Sequence, residues 1–475
     1  MNDTGFSDKT EKFLTFLSDN EVTVSPKVQI SDLRKINQGR GVIALEDISI
    51  DETLFTIPDK ILLNSANNSL ILDQPEISDK LAGLENEWDA LILVLLYEWK
   101  GKESSKWMNY LNVLPDLNYP FDELLFWNEE ELERLKPSGI LERVGKDKTV
   151  EMYERLVGFV HDWNIEKLKG MTMDEFTKIA TIIMSYSFDV VAGGVEDDEE
   201  DETEYIKSMV PLADTLNADT RLNNAVLTYN KDQVLVMTSI KPIKKGEQIY
   251  NTYSDHPNSE ILRRYGYVEP KGSKYDFGEI QLTTITAYFS KFMSEKLVFD
   301  ILELISQISQ EEDEEEEVVS ESYDCYSSKE VNLTLVFLIQ LLSIISLIHN
   351  ESPIEAETET ITRIYKKCYQ LIESKKVTSS FVKNYTEILQ SRLSEYPSIS
   401  KEPFADDYQQ SRKYMAEVVL KSEYQSIANC LDVDSTLANT MDSPVKTIDD
   451  DKLLRNILKK RTKQDILEQT KRIKN

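Results

Sequence analysis

Three short stretches, far apart in the chain, carry the residue types from which a site can be built. Asn37-Gln38-Gly39-Arg40-Gly41-Val42 is a glycine turn between apolar runs; without Cβ atoms it lets backbone N–H and C=O groups approach a bound molecule closely. Pro211-Leu212-Ala213-Asp214-Thr215-Leu216-Asn217-Ala218-Asp219 places a polar Asn217 after apolar residues, and is preceded by Met184-Ser185-Tyr186-Ser187-Phe188-Asp189. Gly246-Glu247-Gln248-Ile249-Tyr250-Asn251-Thr252-Tyr253 is followed, after eleven residues, by Tyr265-Gly266-Tyr267. Taken singly, these are a tight turn, a helix cap or turn former, and packed tyrosines. Taken together they make sense if they converge, and then they offer backbone dipoles, an amide and phenols. Histidines are few and carboxylates do not cluster in these motifs, so the chemistry on offer is positioning and hydrogen bonding rather than strong general-base catalysis.

The elements that must bring them together can be read from periodicity. Val28 to Pro58 reads as short strands, with Val42-Ile43-Ala44-Leu45 and Thr53-Leu54-Phe55-Thr56-Ile57 as apolar runs around turns. The period then changes, and Trp88 to Trp99, Glu151 to Lys169 and Met173 to Phe188 read as helices. Strand character returns at Ala225 to Tyr229 and Gln233 to Thr238, a hairpin signature around Asn230-Lys231-Asp232, and again at Gln248 to Tyr253. Neither β-rich block has enough strands to close a core alone, so one domain should contain both, split by helices. From about Phe289 the pattern is almost wholly helical. The expected organisation is α+β: an N-terminal helical segment over 1–24, a β-rich domain over 25–270 with a helical insertion at about 75–180, and a helical domain over 280–475.

At 475 residues the chain is too long for one ordinary core. Lys+Arg 54 against Asp+Glu 85 gives a formal net charge of -31, which repels polyphosphate and attracts basic partners; direct nucleic-acid binding is disfavoured. Acidic runs lie at Glu196 to Glu204 and Glu311 to Glu317, either solvated loops or attractors of a basic substrate. Lys459-Lys460-Arg461-Thr462-Lys463 reads as an import signal or as the charged face of a terminal helix. Cys325, Cys368 and Cys430 form no C-x-x-C pair, and His161, His256 and His349 are dispersed, so no disulfide framework and no structural metal are expected. Met1 to Asn20 lacks the apolar core of a signal peptide, which points to the nucleus, the cytoplasm or both. Val331 to Ile348 approaches the length of a membrane span but is broken by Asn332, Thr334, Gln340, Ser343 and Ser346, and reads as a buried helix. No membrane partner is expected, and monomer is the default.

In order and spacing, the Asn217 motif, the Asn-Thr-Tyr of 251–253 and the Tyr-Gly of 265–266 resemble the SET-domain methyltransferases of the Rubisco large-subunit type, in particular the fungal branch that methylates ribosomal proteins. The resemblance runs through nearly the full chain and implies a SET domain split by a helical insertion, followed by an all-helical substrate-binding domain. It implies S-adenosyl-L-methionine as cofactor and a protein lysine as acceptor, with a basic protein of the 60S ribosomal subunit as substrate and monomethylation as outcome. By the same matching, Gly39, Arg40, Gly41, Tyr186, Asn217, Ala218 and Tyr265 would hold the cofactor, Tyr253 would be the catalytic tyrosine, and Trp88, Ser187 and Asp189 would face the substrate. Ala218 stands where the family carries histidine. That departure motivates the alternative of a non-catalytic SET-fold interaction protein, and histidine methylation, known among relatives, is a further enzymatic alternative.

Overall fold

The structure, a computed structural model, describes residues 4–191, 205–230, 234–311, 317–351, 353–397, 411–451 and 453–454. The acidic run at 196–204, the run at 311–317 apart from its two end residues, and the basic cluster at 459–463 lie outside the described residues. Backbone proximity divides the chain into two units: Met1–Glu133 with Ile140–Lys274 and Phe404–Met415, and Arg134–Gly139 with Tyr275–Pro403 and Ala416–Asn475.

The first unit is built on two four-stranded sheets. One has the order β1 (Thr23–Val24), β4 (Thr53–Pro58), β9 (Val234–Ser239), β8 (Ala225–Tyr229); the other has β2 (Val28–Asp32), β3 (Arg40–Ala44), β10 (Gln248–Asn251), β7 (Asn217–Ala218). Each sheet thus joins two strands of the first block to two of the second, through β4–β9 in one and β3–β10 in the other, so neither β-rich block could complete a sheet without the other. The β8–β9 pair is the expected hairpin, antiparallel from Ala225↔Ser239 to Tyr229↔Leu235. A two-stranded antiparallel pair, β5 (Ser187–Val191) with β6 (Tyr205–Met209), completes the strands among the described residues of this unit.

Helices fill the segment between the blocks. Glu87–Lys100 is a core helix: every residue from Asp89 to Glu98 is buried, and the Asn86 side chain caps its first turn by accepting from Trp88 N. The helix read from Glu151 begins earlier, at Lys146, because Gly145 takes a left-handed conformation (φ +85°) that opens it. Met173–Tyr186 starts from a capping box of Thr172 and Glu175 and stops two residues short of the periodic pattern. Ser187 and Phe188 are extended and pair with Met209 and Ser208, so Tyr186 stands at a helix-to-strand junction. The N-terminal helix Thr4–Asp19 is not a separate segment: Phe13, Phe16 and Leu17 belong to the core of this unit.

The second unit is dominated by helices, among them Glu295–Glu311, Leu333–Glu351, Thr358–Glu373 and Ser379–Leu393. It also holds a three-stranded sheet, β11 (Phe277–Gln281), β12 (Ser322–Tyr326) and β13 (Glu330–Val331), and a parallel pair, β14 (Lys376–Thr378) with β15 (Lys446–Ile448). Leu333–Glu351 is long and apolar enough to cross a membrane, yet Leu335 through Ser346 are all buried within this unit. Its Gln340 amide is satisfied on both sides, donating to Thr378 Oγ1 at 3.0 Å and accepting from Thr378 N at 2.9 Å, which removes the penalty of a polar side chain in that core.

Candidate active site

The glycine turn, Asn217 and Tyr253 come together in the second sheet of the first unit. β10 pairs antiparallel with β3 and parallel with β7, putting Tyr250 opposite Asn217 and Asn251 opposite Ala218. The Asn217 amide then donates to the Gln38 and Arg40 carbonyls at 3.1 and 3.2 Å and to Gln248 Oε1 at 2.7 Å. Gln248 Nε2 in turn donates to Gln38 Oε1 at 2.5 Å and to the Tyr250 hydroxyl at 2.7 Å. Asn217 is therefore neither a helix cap nor a simple turn former; it clamps the glycine turn to β10. The turn needs both glycines, for different reasons. Gly39 sits at φ +57°, and a Cβ on Gly41 would stand 2.5 Å from Gln248 Oε1 and 2.8 Å from Asn217 Nδ2. Such a turn leaves room for a ligand's own polar groups along exposed backbone.

Arg40 takes two parts. Its carbonyl accepts from Asn217, while its guanidinium points to the N-terminal helix, donating to Thr10 Oγ1 and to the Phe6 and Val113 carbonyls and lying 4.0 Å from the Phe6 ring centroid. Any contact with a ligand in the turn falls to its backbone, because the side chain holds that helix in place.

Beside Asn217 lies a group of phenols. Tyr253 donates its hydroxyl hydrogen to the Leu216 carbonyl at 2.9 Å, and its ring lies 4.9 Å from that of Tyr265, tilted by 45°. Tyr265 ends the helix Asn258–Tyr265, Gly266 turns the chain with φ +68°, and Tyr267 reaches back toward the Ala218 carbonyl at 3.5 Å. Asn258 fixes this segment: its amide donates to the Glu269 carbonyl at 3.0 Å and its Oδ1 accepts from Glu269 N at 2.7 Å. Tyr186 joins the same electrostatic neighbourhood. Burial pushes Tyr186, Tyr253, Tyr265 and Tyr267 above the usual phenol range, with Tyr265 and Asp214 adding to the effect at Tyr253. They are neutral donors at physiological pH, not bases.

Two carboxyls at the site carried no signal in the sequence. Asp214, buried, accepts the Tyr110 hydroxyl at 2.5 Å, and burial pushes it up to about 7. It follows Leu212, a fully buried non-glycine residue held at φ +81°, a strained turn that leads directly to Asn217. Glu123, also buried, accepts from Ser185 Oγ at 3.3 Å and is likewise pushed up to about 7; its Oε2 has no partner among the described residues. The pocket around Tyr186 and Tyr253 thus penalises charge.

Trp88 and Asp189 line an open groove of about 530 Å³ together with Glu85, Asn86, Glu87, Tyr205 and Lys207. Ser187 does not line it; it occupies the first position of β5, next to Tyr186. Lys207, opposite Asp189 in the β5–β6 pair, forms an ion pair with it and lies 4.9 Å from the Trp88 ring centroid.

Residues 39–254 match the family model of the SET domain. Across 98% of both chains the sequence is 40% identical to ribosomal lysine N-methyltransferase 4 of Saccharomyces cerevisiae. It is 32% identical to N-lysine methyltransferase setd6 of Xenopus laevis over 58% of this chain and 60% of that protein. Among solved structures, that of Rubisco LSMT bound to AdoMet superposes with a TM-score of 0.61 at 19% identity, covering 90% of this chain and 92% of that one.

Proposed function

The chain belongs to the SET-domain protein-lysine methyltransferases, and from that membership we propose that it transfers one methyl group from S-adenosyl-L-methionine to a lysine ε-amine of a 60S ribosomal protein. The observation that carries the reading is the convergence around Asn217: its amide locks the glycine turn, while the adjacent Leu216 carbonyl holds the Tyr253 phenol. The cradle fits the cofactor. Gly41 admits no Cβ, Gly39 takes a left-handed conformation, Ala218 pairs with Asn251 at the end of β10, Tyr265 packs on Tyr253, and Tyr186 lies within electrostatic reach of Tyr253. When bound, S-adenosyl-L-methionine supplies an electrophilic methyl on a sulfonium.

A lysine amine reacts only when neutral, and moving it from a pKa of about 10.4 to neutrality at pH 7 costs roughly 4–5 kcal/mol. The same desolvation that raises Asp214 and Glu123 to about 7 disfavours an ammonium, so the pocket itself lowers that cost. Tyr253, neutral and fixed by Leu216, orients the amine's lone pair, and the aromatic faces of Tyr253 and Tyr265 favour the cationic groups on either side of the reaction. Catalysis is then mostly alignment. The close packing of these two rings leaves little width for added methyl groups, which supports monomethylation. The ribosomal substrate rests on the name of the yeast relative and on the acidic surface, -31 overall, which suits a basic protein.

Purified protein incubated with methyl-labelled S-adenosyl-L-methionine and a ribosomal extract is expected to label one large-subunit protein on lysine. Tyr253→Phe should reduce turnover by about 10²–10³ while leaving cofactor binding within a few-fold. Equal, absent labelling by both proteins, with cofactor binding intact, would favour a non-catalytic binding module instead.

A further inference from the structure

The groove at Trp88 contains an unusual resident. Asp189 and Lys207 face each other across the β5–β6 pair, and a cross-strand ion pair alone would need no further account. Lys207 does more than pair. Its ammonium lies over the indole of Trp88, which belongs to a different element, and its side chain is only 11% exposed, whereas that of Asp189 is 59% exposed. The cation is tucked against the aromatic wall and the carboxylate keeps an open side toward the groove. Glu85 and Glu87 add two more carboxylates, so three acids line the cavity against one ammonium. The cavity, about 530 Å³, lies within the range that receives whole ligand groups.

We propose that Lys207 is a built-in stand-in for a basic side chain of the substrate, and that an arginine flanking the target residue displaces it from Trp88 to sit between the indole and Asp189. The proposal rests on the protein-lysine methyltransferase reading for the target itself and adds a specificity residue to it. An incoming guanidinium stacks on the indole as the ammonium did, and pairs bidentately with a carboxylate, which an ammonium cannot do. The displaced Lys207 swings to solvent or to Glu85 or Glu87. A neutral flanking residue gains none of this and leaves Lys207 in place, so the exchange selects for basic sequence around the target.

The test uses the full-length chain and two short fluorescein-labelled peptides with one lysine each, flanked by arginines in one and by glutamines in the other, measured by anisotropy and by methyl transfer. Lys207→Met, which keeps an unbranched side chain and removes the charge that competes for Trp88 and Asp189, is expected to bind the arginine peptide about five- to tenfold more tightly and the glutamine peptide unchanged. Asp189→Asn is expected to weaken the arginine peptide about fivefold and spare the other. In turnover, Lys207→Met should lower KM for the arginine peptide at constant kcat. Unchanged or weaker binding of the arginine peptide by Lys207→Met overturns the proposal, whatever the activity. The expected binding differences with no methyl transfer to either peptide would leave the groove assignment standing and count against the enzymatic reading, so the two failures are distinguishable.

Discussion

Each unit of this chain presses a strand glycine against a neighbour and buries a carboxyl far above its ordinary range, and the two units use these devices differently. In the first, Gly41 abuts Gln248 and Asn217, and Asp214 sits under Tyr110. In the second, Gly278 on β11 lies where a Cβ would meet the Glu423 carbonyl at 2.6 Å and Ile427 Cγ1 at 2.7 Å, and Glu423 itself is pushed up to about 7. The surroundings separate them. Both Glu423 oxygens are matched, one by the Ser138 hydroxyl and one by Tyr396 at 3.0 Å, with the buried Arg392 and Glu279 among its charged neighbours. In the first unit the polar groups crowd one end of a sheet, a buried leucine takes a left-handed turn, and Glu123 leaves an oxygen unmatched among the described residues. Close approach and buried charge build a core in one place and a reactive pocket in the other. What distinguishes them is whether the polar atoms are used up.

The sharpest way to break that comparison is to substitute the two glycines. Gly41→Ala forces apart the Asn217 clamp and should weaken cofactor binding by more than tenfold, with about 1–3 kcal/mol of destabilisation from overpacking. Gly278→Ala should cost a similar amount of stability, since its Cβ meets backbone that cannot easily yield, while cofactor affinity measured below the unfolding transition stays at the wild-type value. Calorimetric titration of the cofactor beside denaturant unfolding checks both. Equal loss of affinity in the two variants would mean that the glycine turn has no special part in binding.

How much of this was legible in the sequence follows the same line. Gly39, Gly41, Asn217, Tyr253 and Tyr265 could be singled out because the order and spacing of their motifs resemble those of a known family, whereas each taken alone reads as a turn or packing residue. Asp214 and Glu123 could not, because a carboxyl in a sequence gives no sign of its burial, and the partner of Asp214 is Tyr110, 104 residues earlier. Arg40 was readable as part of the turn, but the direction of its guanidinium depends on how the N-terminal helix, 30 residues earlier at Thr10, packs against it. Lys207 was one charge among many until the β5–β6 pair placed it over Trp88. In the second unit, β12 buries only Tyr323 and Cys325, and two residues of alternation within a long helical stretch are too few to mark a strand.

The buried carboxyls sharpen the comparison through pH. Asp214 and Glu423 titrate near 7 when folded and near their ordinary 3.8 and 4.5 when unfolded. Between those limits the folded chain keeps protons that the unfolded chain has lost, so stability falls as pH rises from about 4 to 7 and levels off above. Asp214→Asn and Glu423→Gln should each make that decline shallower in urea unfolding followed across the range. Only Asp214→Asn should also move the pH profile of kcat, because only Asp214 lies in the electrostatic neighbourhood of Tyr253. A shifted kcat profile in Glu423→Gln would erase the distinction drawn between the two sites.

Two helix caps extend the comparison to stability alone, with no expected change in turnover. Thr378 caps Ser379–Leu393 in the second unit from a fully buried position, and its hydroxyl accepts from Phe381 N at 3.3 Å and from Gln340 Nε2 at 3.0 Å. Thr378→Ala orphans an amide donor in the core of that unit, a loss of about 2–3 kcal/mol. Thr172 caps Met173–Tyr186, the helix that delivers Tyr186 to the site, but from its exposed far end, where Oγ1 accepts from Glu175 N at 3.2 Å and water can replace it. Thr172→Ala should cost about 1 kcal/mol by urea unfolding and leave turnover within twofold. Tyr186 is held instead by the strand that follows it, beginning with the Ser187 and Met209 pair, so fraying fourteen residues away does not reach the pocket. A drop in turnover with Thr172→Ala, at unchanged folded fraction, would show that the position of Tyr186 depends on the whole helix rather than on the junction where it ends.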